Sequence, residues 1–407
     1  MPGPLAGIRV LDLTRVLAGP WAAQNLADLG AEVIKLERPK KGDDSRAFGP
    51  PWLKDAQGRD SGESAYFASA NRGKKSLTLD LAQPKGQAIA RELAAKSDVL
   101  LENFKFGDLD RYGLGYAQLK KANPGLIYCS VTGFGHTGPW RERPGYDFMI
   151  QGMGGLMSIT GERDDRPGGG PQKAGIPIAD LITGMYASIA VCAALVHRAK
   201  TGVGQHLDLA LLDSLVAVLA NQGANYLATG SPPGRLGNDH PNIAPYQVFR
   251  TADGSLILAC GNDNLFRKFC EVAGCENLPD DARFSTNGKR VANRVELTRL
   301  LSDIFVQKTT QQWIAQLEAA GVPCGPINDL KQVFEEPQAV ARGLRMELPH
   351  PAAGKVSLVR SPMRFSETPV EQDVPPPTLG QHTEEVLVGL LGKSEGEVSR
   401  LRSEGIV

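Results

Sequence analysis

A single carboxylate stands near the head of a long apolar run, in GIPIADLITGMYASIAV at residues 175–191. Pro177 favours the start of a helix, so Asp180 is predicted to lie in a first turn, where free N–H groups stabilise a negative charge. An ionised carboxylate beside small residues could act as a nucleophile toward an acyl group. It could equally do no more than stabilise the helix end, and the local sequence does not separate these two interpretations.

The helix that carries Asp180 is predicted to run from about residue 178 to residue 199. Asp180 shares one face with the small residues Thr183, Gly184 and Ala187, which predicts space for a ligand near the backbone. Large apolar residues at helical spacing predict a buried stripe on another face. These residues are Ile178, Leu181, Ile182, Met185, Ile189, Cys192 and Val196.

The first 135 residues alternate β-branched runs with helical patterns. Strands are predicted at 8–13, 31–37, 76–81, 98–104 and 126–134, with helices near 20–29, 84–96 and 115–122. This order predicts an α/β fold with a mainly parallel sheet that is covered on both faces. Ligands of such sheets bind at the carboxyl ends of the strands. Arg15 follows the first strand and Arg38 the second, so both are candidate anion-binding residues.

Helical and strand patterns continue through the middle of the chain. A helix is predicted over 146–158, a strand over 205–212, and Asp213 is predicted to cap the helix that follows. Residues 245–330 are predicted to form a smaller α/β unit, with helices near 264–273, 294–306 and 309–320.

The composition is typical of a globular protein, with 407 residues and 42% hydrophobic side chains. The 45 basic and 45 acidic residues balance, which gives no reason to expect nucleic acid or an anionic membrane as partner. We see no apolar run of membrane length and no targeting segment, so a membrane partner is not expected. The six cysteines lack metal-ligand or disulfide spacing. We therefore expect no metal site, and we expect a cytoplasmic location.

Several motifs, in order over nearly the whole chain, together resemble family III CoA-transferases, the group that includes formyl-CoA transferase and carnitine CoA-transferase. No motif is specific alone, but the ordered set is. The motifs are LDLTRVLAGP (11–20), GAEVIKLERP (30–39), NRGKKSLTLDL (71–81), VLLENFKFGDLDRYGLGY (99–116), RPGYD (143–147), IADLITGMYA (178–187), AGVPCGPIND (320–329) and PPPTLGQHTEEVL (375–387).

The resemblance implies a fold and an assembly. It implies a Rossmann-like large domain built from 1–200 and 331–407, a linker and small domain over 201–330, and an interlaced homodimer. Asp180 falls on the nucleophile of the family, which attacks the acyl-CoA and later carries CoA as an aspartyl thioester. CoA is then a substrate, and no tightly bound cofactor is expected.

The resemblance also implies which residues contact CoA, whose phosphates need local cations in a neutral chain. They lie mainly after predicted strands, together with the GYD segment. The residues are Arg15, Val16, Leu17, Ala18, Arg38, Leu79, Asp80, Asn103, Phe104, Lys105, Arg111, Tyr146 and Asp147.

Within the family, TRVLAGP, DDSRAFGPPW, HPNIAPYQVF and GVPCGPIND resemble the succinyl-CoA–glutarate branch. This implies transfer of CoA from succinyl-CoA or a similar donor to a small dicarboxylate such as glutarate. Candidates for the acceptor's second carboxylate are Arg15, Arg72, His240 and Asn242.

Two alternatives remain. In an α-methylacyl-CoA racemase a histidine base would stand where this chain has Tyr146, and a phenol is a poor base at neutral pH. A formyl-CoA:oxalate transferase would carry a glycine run where this chain has GNDHPNIAPYQVF, residues 237–249.

Overall fold

The computed structural model describes residues 2–370 and 373–407. The chain divides into two compact units. The larger unit consists of three segments: the first ends at Gly154, the second is Ala174–Val218, and the third begins at Pro337. The smaller unit consists of Gly155–Lys173 and Leu219–Glu336. Residues 155–173 thus lie in the smaller unit, whereas 201–218 lie in the larger one, since the strand there joins the large sheet.

The strands form one six-stranded sheet, one three-stranded sheet and two hairpins within the described residues. The strands are β1 (Arg9–Asp12), β2 (Glu32–Glu37), β3 (Trp52–Lys54), β4 (Asp60–Ser64), β5 (Lys74–Thr78), β6 (Val99–Glu102), β7 (Ile127–Thr132), β8 (His206–Ala210), β9 (Tyr246–Arg250), β10 (Ser255–Ala259), β11 (Cys324–Pro326), β12 (Arg345–His350) and β13 (Gly354–Val359).

The helices flank these strands in chain order. They are α1 (Ala18–Asp28), α2 (Ala65–Ser69), α3 (Pro84–Ala95), α4 (Asp108–Arg111), α5 (Tyr116–Ala122), α6 (Asp147–Met153), α7 (Leu156–Ile159), α8 (Ile178–Thr201), α9 (Leu211–Ala217), α10 (Ala220–Thr229), α11 (Asp263–Ala273), α12 (Asn287–Ala292), α13 (Arg294–Phe305), α14 (Thr310–Ala319), α15 (Leu330–Glu335), α16 (Pro337–Ala341), α17 (Thr383–Gly389) and α18 (Glu395–Ser403).

The large sheet is wholly parallel, with strand order β5-β2-β1-β6-β7-β8. Counted within the sheet this is order 3-2-1-4-5-6, the doubly wound order of dinucleotide-binding folds. The predicted α/β fold with a parallel sheet is confirmed. The direction of winding reverses between β1 and β6, so the loops after these two strands flank the crevice where such sheets bind ligands.

The C-terminal part of the chain covers the outer edge of this sheet, along β5. The backbone N–H of Ser76 donates to Nδ1 of His382, 3.1 Å away, and the N–H of His382 donates to the carbonyl of Ser76 at 2.9 Å. The N–H of Thr78 donates to Oγ1 of Thr383 at 3.1 Å. Backbone groups that an edge strand would leave unpaired therefore have partners.

The smaller unit has its own core. The antiparallel sheet β11-β10-β9 packs against helices whose buried aromatic residues stack on one another. The rings of Phe249 and Phe305 lie 4.5 Å apart, and those of Phe305 and Trp313 lie 4.9 Å apart. Residues 245–330 therefore contain a hydrophobic core of their own.

Helix α8 buries its small-residue face and exposes much of its large apolar face, the reverse of the prediction from the sequence. The stripe predicted to be buried is partly or largely exposed in this chain, with Met185 54%, Ile189 62% and Val196 57% exposed. The small face is buried, because α8 packs closely against α1 through it. A Cβ on Gly184 would lie 2.5 Å from the carbonyl oxygen of Ala18, so glycine is needed for this approach.

By length and composition, α8 could also cross a membrane, so the prediction that the chain has no apolar run of membrane length was wrong. One such helix is weak evidence for a membrane protein, because core helices of soluble proteins pass the same test. Here α8 packs against α1, α9, β7 and β8.

Two smaller expectations were also wrong. Asp213 lies in the first turn of α9, whose N-cap is Ala210, so Asp213 does not cap the helix. The helix predicted over 146–158 is divided into α6 and α7, because Gly155 adopts φ +86° between them.

Candidate functional site

A cavity of about 220 Å³ lies in the larger unit at the carboxyl ends of β1, β6 and β7. Its walls are residues 15–18, 103–106, 131–133 and 141–146, together with Asp44, Leu211 and Asp180. We call it the Asp180 cavity. The loops after β1 and β6 both contribute, so it occupies the crevice that the strand order predicts.

The pairing of two parallel helices brings Asp180 to this cavity. Gly184 of α8 lies against Ala18 of α1, and one turn later Oγ of Ser188 lies 3.4 Å from the carbonyl oxygen of Ala22. Asp180 precedes Gly184 by one turn, which places it beside the loop that leads into α1. The small residues predicted to leave space for a ligand instead allow this close approach.

Asp147 holds the first turn of α8. Its Oδ1 accepts the backbone N–H of Ala179 at 2.8 Å and that of Asp180 at 3.3 Å. Its Oδ2 accepts from the side chain of Gln151 at 2.7 Å. The N-cap Pro177 provides no side-chain cap, so Asp147 satisfies N–H groups that would otherwise lack a partner.

The electrostatic surroundings of Asp180 favour its neutral form. Burial, followed by the charge of Asp147, raises the pKa of Asp180 from 3.8 to about 7. Burial and then the charge of Asp180 raise the pKa of Tyr66 to about 12, so this phenol lies within electrostatic reach of Asp180 and keeps its proton. No sequence pattern indicated Tyr66, because it lies in the short helix α2, more than 100 residues from Asp180.

A pH dependence follows if Asp180 must be ionised to react. We expect kcat/KM to be level above about pH 8, to have a midpoint near pH 7, and to fall about tenfold per pH unit below about pH 6. Asp147→Asn removes one cause of the raised pKa, so the midpoint should move to lower pH. Titration of a substrate phosphate would not move in this variant, and a midpoint that stays fixed would contradict the assignment to Asp180.

A second cavity, of about 150 Å³, adjoins the ends of β1 and β2, and we call it the Arg38 cavity. Arg15 and Phe104 line both cavities. Arg15 and Arg38 share the carboxylate of Asp44, at 3.2 and 2.6 Å. One carboxylate cannot occupy all the N–H donors of two guanidinium groups, so Arg15 and Arg38 retain donors for a phosphate-bearing ligand.

Most of the residues predicted to contact CoA line these two cavities. The Asp180 cavity includes Arg15, Val16, Leu17, Ala18, Asn103, Phe104, Lys105 and Tyr146, and the Arg38 cavity includes Arg38, Leu79 and Asp80. Arg111 instead lies on the surface, where it pairs with Asp108 of its own helix. Asp147 supports the backbone of α8, as described above.

The candidates for a second acceptor carboxylate are dispersed. Arg15 lines the Asp180 cavity, whereas Arg72 is buried in a salt bridge of 2.5 Å with Asp28. His240 and Asn242 belong to the smaller unit. A cation that the sequence analysis did not single out, Arg143, lines the Asp180 cavity.

A buried ionic network lies beneath the loop after β1. Nζ of Lys74 is 3.0 Å from Oδ2 of Asp12, and Nζ of Lys35 is 2.9 Å from Oδ2 of Asp43. All four side chains are 0% exposed. The sequence could not indicate these pairs, because the partners are 62 and 8 residues apart and the lysines occupy strands.

The chain belongs to CoA-transferase family III, whose family model matches residues 5–383. The fold and the site are consistent with this membership: a doubly wound sheet carries a carboxylate beside a cationic crevice at the switch point.

Proteins similar to this chain carry succinate and glutarate in their names. The succinate–glutarate CoA-transferase of Agrobacterium fabrum is 50% identical over 95% of this chain and 96% of its own length. The succinyl-CoA:glutarate CoA-transferase of Mus musculus is 45% identical over 99% of this chain and 90% of its own length.

A solved structure has the same fold. A CAIB/BAIF family protein from Brucella suis superposes with a TM-score of 0.84 at 49% identity, covering 96% of this chain and 100% of that one.

Proposed function

We propose that this protein transfers CoA from succinyl-CoA to glutarate, with Asp180 as the nucleophile. The observation that carries the proposal is the half-buried carboxylate of Asp180 in a cavity that it shares with Arg15. The names of relatives at 45–50% identity supply the donor and the acceptor.

The reaction follows from the chemistry of that carboxylate. Asp180 attacks the thioester carbonyl of succinyl-CoA, which gives a mixed anhydride and CoA thiolate. The thiolate attacks the aspartyl carbonyl, so succinate leaves and an aspartyl-CoA thioester remains. The glutarate carboxylate attacks this thioester, and the released thiolate then attacks the glutaryl carbonyl to form glutaryl-CoA and free Asp180.

The site must bind and orient CoA while it keeps water from the two intermediates. Arg15 and Arg38 bind the phosphates, and the guanidinium of Arg15 lies 5.4 Å from the centre of the Phe104 ring, which limits its motion. Burial around Asp180 excludes water from the thioester and anhydride. CoA is a substrate in this scheme, and no tightly bound cofactor takes part.

Trapping of the covalent intermediate tests the proposal. The purified protein with succinyl-CoA should form glutaryl-CoA when glutarate is present. Hydroxylamine added without glutarate should convert Asp180 to a hydroxamate, which peptide mass spectrometry locates. Transfer without any modification of Asp180 would contradict the mechanism.

We further propose that Arg143 binds the second carboxylate of the acceptor. Its guanidinium lies 5.4 Å from the ring centre of Trp140 and 5.5 Å from that of Phe134. Among the described residues, no carboxylate pairs with Arg143, so its charge is open to a ligand. Arg141, in contrast, lies 3.6 Å from Glu142.

Arg143→Gln is expected to raise the KM for glutarate by about 10- to 100-fold, since a hydrogen bond to a charged group contributes roughly 1.5–3 kcal/mol. The KM for the monocarboxylate butyrate should not change. Arg400→Gln, which changes an exposed arginine of α18 that lines neither cavity, is the control and should leave both values within about threefold. If the substitution raised the KM for succinyl-CoA instead, Arg143 would be assigned to CoA binding.

We also propose that the protein is a cytoplasmic homodimer with interlaced subunits. The exposed apolar face of α8 supports a partner surface, because large apolar side chains are seldom left in water as a continuous stripe. The six cysteines are free thiols, as a reducing compartment would keep them. Sedimentation measurements would establish the number of subunits.

A further inference from the structure

Val16, in the loop after β1, has a backbone conformation that its side chain disfavours. Its φ is +71°, in the left-handed region, where a β-branched residue is an outlier. Glycine would adopt this conformation without steric cost. Val16 lines the Asp180 cavity between Arg15 and Leu17, so the conformation shapes the wall of the site.

A carboxylate holds Val16 in place. The N–H of Val16 donates to Oδ1 of Asp43 over 3.1 Å. The same oxygen accepts the N–H and the hydroxyl of Ser45, at 2.9 and 2.8 Å, and so caps the short 3₁₀ turn Asp44–Ala47. One buried carboxylate thus ties the loop after β1 to the segment that follows β2.

The preceding residue is also fixed. The N–H of Arg15 donates to Oδ1 of Asn103 at 2.9 Å, and Nδ2 of Asn103 donates to the carbonyl of Arg15 at 2.8 Å. With Arg15 held by Asn103, the direction of the chain toward α1 depends on the φ of Val16. In the described structure, the hydrogen bond from the N–H of Val16 to Asp43 holds this φ angle.

Lys35 holds Asp43 in turn. Its Nζ lies 2.9 Å from Oδ2 of Asp43 and donates to the carbonyl of Thr14 at 2.8 Å, so Lys35 contacts the loop directly at Thr14 and, through Asp43, at Val16. Both charged groups are fully buried, and a buried carboxylate without its partner would be unstable. The pair is therefore rigid, unlike a salt bridge at the surface.

We propose that Asp43, held by Lys35, is a positioning residue that keeps Val16 in the left-handed conformation and so aligns residues 15–18 for CoA beside Asp180. Asp43 borders the Arg38 cavity, but its side chain is 0% exposed, so its effect on CoA passes through the backbone of Val16. The inference rests on the proposed function for the identity of the ligand.

A double-mutant cycle between Asp43 and Val16 tests this role, with the affinity of the full-length protein for CoA measured by calorimetry. Asp43→Asn is nearly isosteric, but its amide cannot accept from Val16 and from Lys35 at once. We expect CoA to bind about 10- to 100-fold more weakly, the range that corresponds to one strained residue. In the Val16→Gly background the same change should cost less than about threefold, because glycine needs no anchor.

An equal loss in both backgrounds, or no loss in the original one, would overturn the proposal, since a general loss of structure is not relieved by glycine at one position. If Asp43→Asn does not fold, Asp43→Glu takes its place in the cycle, because it keeps the charge beside Lys35 but displaces the acceptor from Val16. Failure of the proposed function is recognised separately: Asp180→Asn would then still transfer CoA, whatever the outcome of the cycle.

Discussion

Asp180→Asn is expected to reduce the rate of CoA transfer by about 10³-fold or more, since the loss of a covalent nucleophile has effects of this order or larger. The amide is close in shape to the carboxylate but cannot form the mixed anhydride. CoA should still bind, because the cations that hold it, Arg15 and Arg38, are unchanged. The rate of glutaryl-CoA formation measures the first expectation, and calorimetric titration with CoA measures the second.

Asp213→Asn provides the matched control, since Asp213 also lies in the first turn of a helix but is exposed. It should lose only a small helix-end contribution to stability and keep its transfer rate. If the Asp180 variant transferred CoA as fast as the unchanged protein, the carboxylate would have only the structural role that the local sequence also allows.

Asp180→Asn also has a predictable effect on the stability of the protein. Between about pH 4 and pH 7 the unfolded chain has lost the proton of Asp180, whereas the folded chain retains it. The folded state therefore binds more protons, and its stability falls as the pH rises through this range. Asp180→Asn removes this loss, so the variant should melt a few degrees above the unchanged protein at pH 8 and close to it at pH 4.

Lys74→Met is expected to lower the free energy of unfolding by about 3–5 kcal/mol, the usual result of removing one partner of a buried ion pair. Nζ of Lys74 uses all three donors, on Asp12 at 3.0 Å, the carbonyl of Pro20 at 2.9 Å and Oδ1 of Asn71 at 2.8 Å. Methionine fills the volume but leaves these three acceptors buried without their donor. Urea unfolding, followed by circular dichroism, measures the change.

The neighbouring Lys75 supplies the comparison. It pairs with Glu32 at 2.9 Å and Glu385 at 2.8 Å, but its side chain is 35% exposed. Lys75→Met should cost less than about 1 kcal/mol, as is usual for pairs that water can reach. Similar losses for both lysines would show that burial of the Lys74 pair adds nothing.

The alternation of strand and helix patterns sufficed to predict the large sheet, because periods of 2 and 3.6 residues are local properties. The parallel order then placed the ends of β1, β2 and β6 at one edge, which brought Arg15, Arg38 and Asn103 together. Strand order alone could not predict that Asp180 lies beside Arg15. That prediction also requires the pairing of α8 with α1, which depends on Gly184 and Ala18.

The faces of α8 could not be predicted from one sequence. Hydrophobic periodicity shows that Met185, Ile189 and Val196 share a side, but not whether the same chain covers that side. Small residues allow helices to approach closely. Here the close packing of α8 against α1 at Gly184 decides which face of α8 turns inward.

Buried charges were the other source of error. The third strand was predicted at 76–81 and is found at Lys74–Thr78, because two lysines argue against a strand until their partners are known. Lys35 likewise lies in β2 without exposure. Lys74 and Lys35 can be buried only because they pair with Asp12 and Asp43. These pairings are seen only in the tertiary structure.

The contacts along β5 bear on how the chain is made. The ribosome produces β5 about 300 residues before His382 and Thr383, so during most of synthesis that strand lacks the groups which later complete its edge. Nascent chains, and fragments truncated before residue 380, therefore present an open β-strand to their neighbours. An open strand edge favours aggregation, whereas the finished chain closes its own edge.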